Sequence, residues 1–202
     1  MKHDPTFWLL ARATGFTAYG LLAATMAAGV VLRSRPFRRL RPPQVMEIHR
    51  FISLMGLVAL AAHGISLYLD RTIEITPLDL VVPGIAPYRP VWTGVGVIAG
   101  ELMLILHVSF RLRKRIGVRV WRRLHWASYA AIAGGTLHGL LAGSDSGTPL
   151  ALGAYAFTLA LLVGLIGWRA TMRPAGARTA GARPPAPGRR APAEAVGEAS
   201  AG

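Results

Sequence analysis

Five apolar segments, each long enough to cross a lipid bilayer, constrain the fold of this chain more than any other feature. A membrane-spanning helix needs about 20 predominantly apolar residues. The five segments are Phe7 to Leu32, Val45 to Leu69, Pro90 to Phe110, Leu124 to Ala142 and Pro149 to Trp168. Charged residues make up only 16% of the 202 residues, against roughly 25% in a typical soluble domain. The sequence therefore predicts an all-α fold: a polytopic membrane helical bundle of five transmembrane helices, in the cell membrane.

The basic residues, which give the chain a formal net charge of +14, lie in alternate connections between these segments. Arg33 to Gln44 contains five arginines and Arg111 to Arg123 contains seven lysines and arginines, whereas Gly143 to Thr148 contains none. Cytoplasmic loops are enriched in lysine and arginine, so the N-terminus is predicted outside and the C-terminus in the cytoplasm. Because the charge follows the connections and not one exposed face, the pattern does not indicate nucleic-acid binding.

The two ends of the chain receive separate predictions. The first apolar run is too long for the hydrophobic region of a signal peptide, and its arginines follow it, so a retained helix is expected. Residues 173–202 are rich in alanine, proline, glycine and arginine and cannot bury enough apolar surface to fold. We therefore expect a membrane domain over residues 1–172 and a disordered cytoplasmic tail over residues 173–202.

The chain contains no cysteine. This excludes disulfides, thiolate metal sites, iron–sulfur clusters and covalently attached c-type haem. Any redox cofactor would have to be held by histidine or by noncovalent contacts.

Four of the six histidines occupy matching positions on the second and fourth apolar segments. His49 and His63 are 14 residues apart, and His125 and His138 are 13 residues apart, which is about 21 and 20 Å along a helix. Both helices run outward in the predicted topology. His49 then meets His125 near the cytoplasmic side, and His63 meets His138 near the outer side. This arrangement would suit two stacked haems, each with its iron between two neutral imidazoles.

One geometric problem accompanies this prediction. At 100° per residue, the 13-residue spacing leaves His125 and His138 about 140° apart around an ideal helix. Helix tilt, or a distortion at Gly134 and Gly135, would have to reconcile the two positions.

A family resemblance is carried by His49-Arg50, His63, the stretch from Trp121 to His125, and His138. These residues resemble the ferric reductase-like transmembrane domain, shared by ferric reductases, NADPH oxidases and small bacterial haem b membrane proteins. The resemblance extends over about residues 7–168. It implies a bundle that moves electrons across the membrane through b-type haem, two haems being predicted.

The resemblance also implies roles and partners. The four paired histidines would be the iron ligands. The sequence lacks the sixth helix and the FAD/NAD(P)H-binding module of the larger family members, so a separate flavoprotein or quinol would supply electrons. An acceptor at the outer face would receive them. The chain is thus predicted to be an oxidoreductase component that lacks its own flavin and nicotinamide domain.

Four arginines are candidate partners of haem propionates. Arg50, Arg122 and Arg123 lie at the inner boundary, near the predicted inner haem, although they could equally be topology signals or contacts to lipid phosphate. Arg12 lies about one turn inside the first helix, where an unpaired guanidinium is costly. It could pair with an outer propionate or extend to the membrane surface.

Two other functions remain open at this stage. The first is a non-catalytic membrane subunit or scaffold of a redox complex, in which the histidines pack or bind a partner. The second is a proton-coupled transporter that uses Glu101 and Arg12, against which the lack of a repeat counts. His107 is expected to support the site or to pack, with an inner iron ligand as its alternative role.

Overall fold

The computed structural model describes residues 5–34 and 41–171, and every regular element in these two ranges is a helix. The elements are α1 (Thr6–Ser34), α2 (Pro42–Leu69), α3 (Pro90–Ile116), α4 (Val118–Leu124), α5 (Ala127–Leu141) and α6 (Pro149–Thr171). Helix α1 packs along α2, α3 packs along α5, and both α5 and α6 contact α1. The predicted all-helical fold is confirmed for this part of the chain. The predicted tail, residues 173–202, lies outside the described residues.

Four of these helices are long and apolar enough to cross a membrane. They are Thr6–Leu32, Pro42–Leu69, Pro90–Ile116 and Pro149–Trp168, in agreement with four of the five predicted segments. Their surfaces carry large apolar side chains, such as Phe51, Leu150 and Phe157, which are 63%, 80% and 69% exposed. Soluble monomers rarely expose apolar surface on this scale, so the chain is a membrane protein whose helices face lipid.

The remaining predicted segment, Leu124 to Ala142, is divided in the structure. Helix α4 ends at Leu124, and α5 begins at Ala127 and has 15 residues. At about 1.5 Å per residue α5 is about 22 Å long, shorter than the hydrocarbon core of about 30 Å. A fifth span, and with it the predicted positions of the two termini, stays a prediction.

The junction between α4 and α5 also reduces the angle that separates its two histidines in an ideal helix. The N–H groups of Trp126, Ser128 and Tyr129 bond to carbonyls three residues earlier. Such bonds wind the chain by about 120° per residue in place of 100°, which turns His125 toward the face of His138. The distortion lies here and not at Gly134 and Gly135, where α5 is continuous.

Proline and glycine set the helix boundaries that matter for the site. Pro42, Pro90 and Pro149 occupy the first positions of α2, α3 and α6, where the missing N–H group costs no hydrogen bond. Gly117 separates α3 from α4 with a φ of 82°, a conformation that glycine adopts without strain. The turn at Gly117 leads into the short basic helix that precedes His125.

The connection between α2 and α3 is folded against the helix ends. The buried carboxylate of Asp79 accepts hydrogen bonds from the N–H and hydroxyl of Thr76, at 2.8 and 2.7 Å. Arg89 donates to the carbonyl of Leu141, the last residue of α5, at 2.6 Å. The bond from Arg89 joins the beginning of α3 to the end of α5.

Candidate functional site

Four histidines form two pairs between α2 and the α4–α5 region. The ring centres of His49 and His125 are 6.2 Å apart, and those of His63 and His138 are 6.4 Å apart. These are the partners that the sequence predicted. With a metal–nitrogen bond of about 2.0 Å and about 1.1 Å from nitrogen to ring centre, two imidazoles that bind one metal ion from opposite sides would have centres about 6.2 Å apart. Both gaps therefore have the size that one metal ion bound by both rings requires.

Three of the four imidazoles are oriented by a hydrogen bond to a backbone carbonyl. The three bonds run from Nδ1 to an oxygen of α1 or α3: His49 to Thr25 at 2.9 Å, His63 to Ala11 at 2.7 Å and His138 to Trp92 at 2.9 Å. A carbonyl oxygen only accepts, so Nδ1 must carry a proton, and in the neutral ring Nε2 then keeps its lone pair. A free Nε2 supported in this way is the usual state of a histidine that binds a metal.

Each of these carbonyls lies one helical turn before a glycine, against which the imidazole packs. We call the three carbonyl and glycine pairs the notches: Ala11/Gly15, Thr25/Gly29 and Trp92/Gly96. An added Cβ would lie 3.0 Å from Nδ1 of His63 at Gly15, 3.4 Å from Cε1 of His49 at Gly29, and 2.6 Å from Cγ of His138 at Gly96. A helical side chain covers the turn before its own Cα. Glycine therefore leaves the carbonyl of that turn open to an approaching ring.

The notches were not predicted from the sequence, although a signal for two of them is present. Gly15 and Gly29 of α1 are 14 residues apart, the same spacing as His49 and His63 of α2. Helices α1 and α2 are consecutive and pack along each other. Equal spacings on an antiparallel pair place each glycine opposite one histidine.

His125 differs from the other three histidines. Its Nδ1 is buried and has no hydrogen-bond partner among the described residues. The ring stacks on that of Trp121, with centres 5.1 Å apart and planes at 28°. The indole nitrogen of Trp121 is likewise buried without a partner within the described ranges.

The pair of His49 and His125 borders a cavity of about 640 Å³, which is within the usual range of cofactor sites, about 300–1,000 Å³. Its described lining includes five arginines and no carboxylate; the arginines are Arg50, Arg111, Arg119, Arg122 and Arg123. The three inner arginines singled out in the sequence are therefore brought to one cavity. Its charge suits an anionic group, because guanidinium binds carboxylate in a bidentate manner.

His107 lines the same cavity, and its Nδ1 lies 3.0 Å from the hydroxyl of Ser53. It belongs to neither histidine pair. Glu101, also on α3, is exposed on the surface of the helix. The supporting role of His107 stays a prediction.

Arg12 has a partner that the sequence did not indicate. Its guanidinium forms an ion pair with Asp145, in the turn between α5 and α6, and lies 4.1 Å from the ring centre of Trp8. The ion pair offsets the cost of placing a cation within a membrane helix. The role of Arg12 as partner of an outer propionate stays a prediction.

We expect Asp145→Asn to destabilise the protein by about 1–2 kcal/mol, between the values for exposed and for buried ion pairs. The side chains of Arg12 and Asp145 are 33% and 16% exposed, so loss of the carboxylate leaves a partly desolvated cation. The midpoint of thermal unfolding in detergent, followed by circular dichroism, measures the effect. When Arg12→Gln is already present, Asp145→Asn should lower the stability little, because the cation is absent. Equal losses in both backgrounds would contradict the pairing.

Comparison with known proteins identifies the family. The family model for the ferric reductase like transmembrane component matches residues 14–136, more than half of the chain. The match includes three of the four paired histidines, and His138 lies two residues beyond it. No curated protein and no solved structure matches the chain. The chain therefore belongs to the family of ferric reductase-like transmembrane components.

Proposed function

We propose that this chain is a transmembrane b-type cytochrome with two haems. His49 and His125 would hold the inner haem, and His63 and His138 the outer haem. Electrons would pass from a separate cytoplasmic or membrane donor, a flavoprotein or a quinol, to an acceptor at the outer face. The haem supplies an iron that gains and loses one electron, and the protein supplies its ligands and surroundings.

The observation that carries this proposal is the recurrence of one ring spacing at two levels. The two pairs of ring centres, 6.2 and 6.4 Å apart, both match the spacing of imidazoles that share an iron. A single histidine pair could be explained by packing alone. Two pairs with the same spacing, each with at least one imidazole aligned by a notch, favour the same kind of bound group at both levels.

The protonation state of the histidines fits iron binding. In a neutral imidazole, the Nδ1–H bonds of His49, His63 and His138 to carbonyls leave Nε2 available as the ligand atom. Neutral ligands avoid the cost of burying charge in the bilayer. Two histidine ligands for each iron would leave no open position for oxygen, which would favour electron transfer over oxygen binding.

The inner cavity fits the rest of the haem. A flat apolar macrocycle with two carboxylates needs apolar walls and nearby cations. Leu22, Met26 and Leu106 provide apolar surface in the lining, and five arginines provide the cations. Arg50, Arg122 and Arg123 would bind the propionates there.

An apolar layer lies between the two histidine levels. Ala23 and Met26 of α1 pack with Ile132 of α5 and Leu162 of α6, and all four are buried. In sequence, Ala23 and Ile132 fall between the residues of the inner and the outer site, and Met26 also lines the inner cavity. This layer would exclude water from the path between the haems and so limit proton leakage while electrons cross.

The proposal includes the topology. Helix α5 would be the fifth spanning element, with its inner end extended by the basic helix α4. The arginines of the inner cavity would then lie on the cytoplasmic side, as the positive-inside rule requires. This orientation would place the chain in the cell membrane with its N-terminus outside.

The test is the absorption spectrum of the purified protein. After expression with adequate haem and purification in detergent, dithionite reduction should give the spectrum of a low-spin haem b, and pyridine haemochrome analysis should give two haems per chain. One haem per chain would contradict the two-haem assignment. A colourless protein that copurifies with another polypeptide would contradict the cytochrome and favour the non-catalytic subunit.

A further inference from the structure

We infer that His125 is the weakest electron donor of the four histidine ligands, and that the inner haem therefore has the higher reduction potential of the two. The inference rests on the proposed function. It concerns what the surrounding side chains do to each histidine, and it predicts where an electron resides when the protein is half reduced.

The four histidine ligands differ in the hydrogen bonds of their Nδ1 atoms. A hydrogen bond from Nδ1–H to an acceptor makes an imidazole a more basic ligand, and a more basic ligand stabilises ferric over ferrous iron. His63 and His138 both have such a bond. Of the inner pair, His49 has one and His125 has none within the described residues. Ligand basicity should therefore lower the potential of the outer haem more than that of the inner haem.

The lack of a partner at His125 has a cause in the sequence of α3. The notch that serves His138 ends at Gly96, and the inner level lies 13 or 14 residues further along the helix. These positions are Ser109 and Phe110, so no glycine opens the backbone there. The carbonyl one turn before Phe110 belongs to Leu106, and it already accepts a hydrogen bond from the hydroxyl of Ser109 at 2.7 Å.

Aromatic rings occupy the place of the missing notch. The ring centre of Phe110 lies 6.0 Å from that of Trp121, and Trp121 stacks on His125. A stacked ring holds the imidazole in position without accepting a hydrogen bond from Nδ1–H. At His125 the stacked ring fixes the position of the imidazole but does not increase its basicity. Each notch does both for its histidine.

The charges around the inner pair should also raise the reduction potential of the inner haem relative to the outer one. Five arginines and no carboxylate of the described residues line the cavity beside the inner pair. Two haem propionates would leave a net positive charge there, which favours the ferrous state. Arg12, the arginine that the sequence placed near the outer haem, is neutralised by Asp145. Both effects place the electron on the inner haem at equilibrium. A membrane potential that is negative inside would then favour its movement to the outer haem.

A redox titration with single-haem variants tests the order. In the wild type we expect two components, with the electron favouring the inner haem at least tenfold, or about 59 mV for a one-electron couple. His63→Ala should retain the component of higher potential, and His49→Ala the component of lower potential. The reverse order, or equal potentials, would overturn the inference.

Two substitutions at one position test the cause. Trp121→Gln places an amide oxygen one helical turn from His125 and can supply the missing acceptor, so the higher potential should fall and the lower one should not move. Trp121→Phe keeps an aromatic ring without an acceptor and should leave both potentials in place. Equal shifts in the two variants would overturn the role of hydrogen bonding. If Trp121→Gln fails to fold, the histidine variants still decide the order.

These outcomes are distinct from failure of the proposed function. A protein that binds no haem rejects the cytochrome itself. A protein that binds two haems with the outer one at higher potential rejects only the inequality inferred from His125.

Discussion

Replacement of His63 by alanine is expected to lower the haem content from two per chain to one and to leave the inner haem in place. The two sites share no histidine, and their levels are about 21 Å apart along α2. Loss of one axial ligand at the outer site should therefore not disturb His49 or His125. Pyridine haemochrome analysis of the purified variant gives the haem content, and the reduced spectrum shows whether the retained haem is still low-spin.

Companion variants separate loss of a ligand from general damage. His138→Ala should give the same loss as His63→Ala, and the double variant should lose no more than either single one, because both ligands serve one iron. His63→Ala combined with His49→Ala should lose both haems. His107→Ala is the matched control, since His107 belongs to neither pair, and it should keep two. Retention of both haems in His63→Ala would reject the ligand assignment.

The helices could be predicted from the sequence because each spanning segment is encoded locally. An apolar run of sufficient length, with proline at its start and arginine at its inner end, predicts a membrane helix without reference to its neighbours. Four of the five predicted segments match helices of spanning length. The pairing of the histidines could be predicted for the same reason, since rise along a helix depends only on residue number.

The break between α4 and α5 could not be predicted in this way. The sequence from Trp121 to Tyr129 contains neither proline nor glycine, so no local signal ends a helix there. The bonds to carbonyls three residues earlier arise where the basic helix α4 and the apolar helix α5 meet. This junction, and not the glycine pair in α5, adds winding that brings the two histidines closer to one face.

The partners of the site residues depend on packing between helices and were also beyond sequence reasoning. The pairing of Arg12 with Asp145 joins residues 133 positions apart, and no pattern in the sequence links them. Each notch consists of a backbone carbonyl, which every residue has, and a glycine, which is one of many small residues in membrane helices. Neither can be singled out in the sequence. Only the equal spacing of the glycines in α1 and the histidines in α2 provided a clue.

Replacement of Gly96 by alanine is expected to weaken haem binding at the outer site by roughly tenfold to a hundredfold, which corresponds to an overpacking cost of about 1–3 kcal/mol. The added Cβ would lie 2.6 Å from Cγ and 2.7 Å from Cε1 of His138. The rigid ring would have to move away, and its hydrogen bond to the carbonyl of Trp92 would be lost with it. Haem titration of the purified apoprotein, followed by absorbance, measures the affinity of each site.

Alanine at the other glycines provides graded controls. At Gly15 the added Cβ would lie 3.0 Å from the ring of His63, and at Gly29 it would lie 3.4 Å from that of His49. The loss of affinity should therefore decrease from Gly96 to Gly15 to Gly29, with Gly29 affecting only the inner haem. Gly20, in the same helix as Gly15, has no atom within 4 Å of its added Cβ, so Gly20→Ala should leave both haems bound. Equal losses at Gly20 and Gly96 would show that helix flexibility, and not the shape of the notch, controls haem binding.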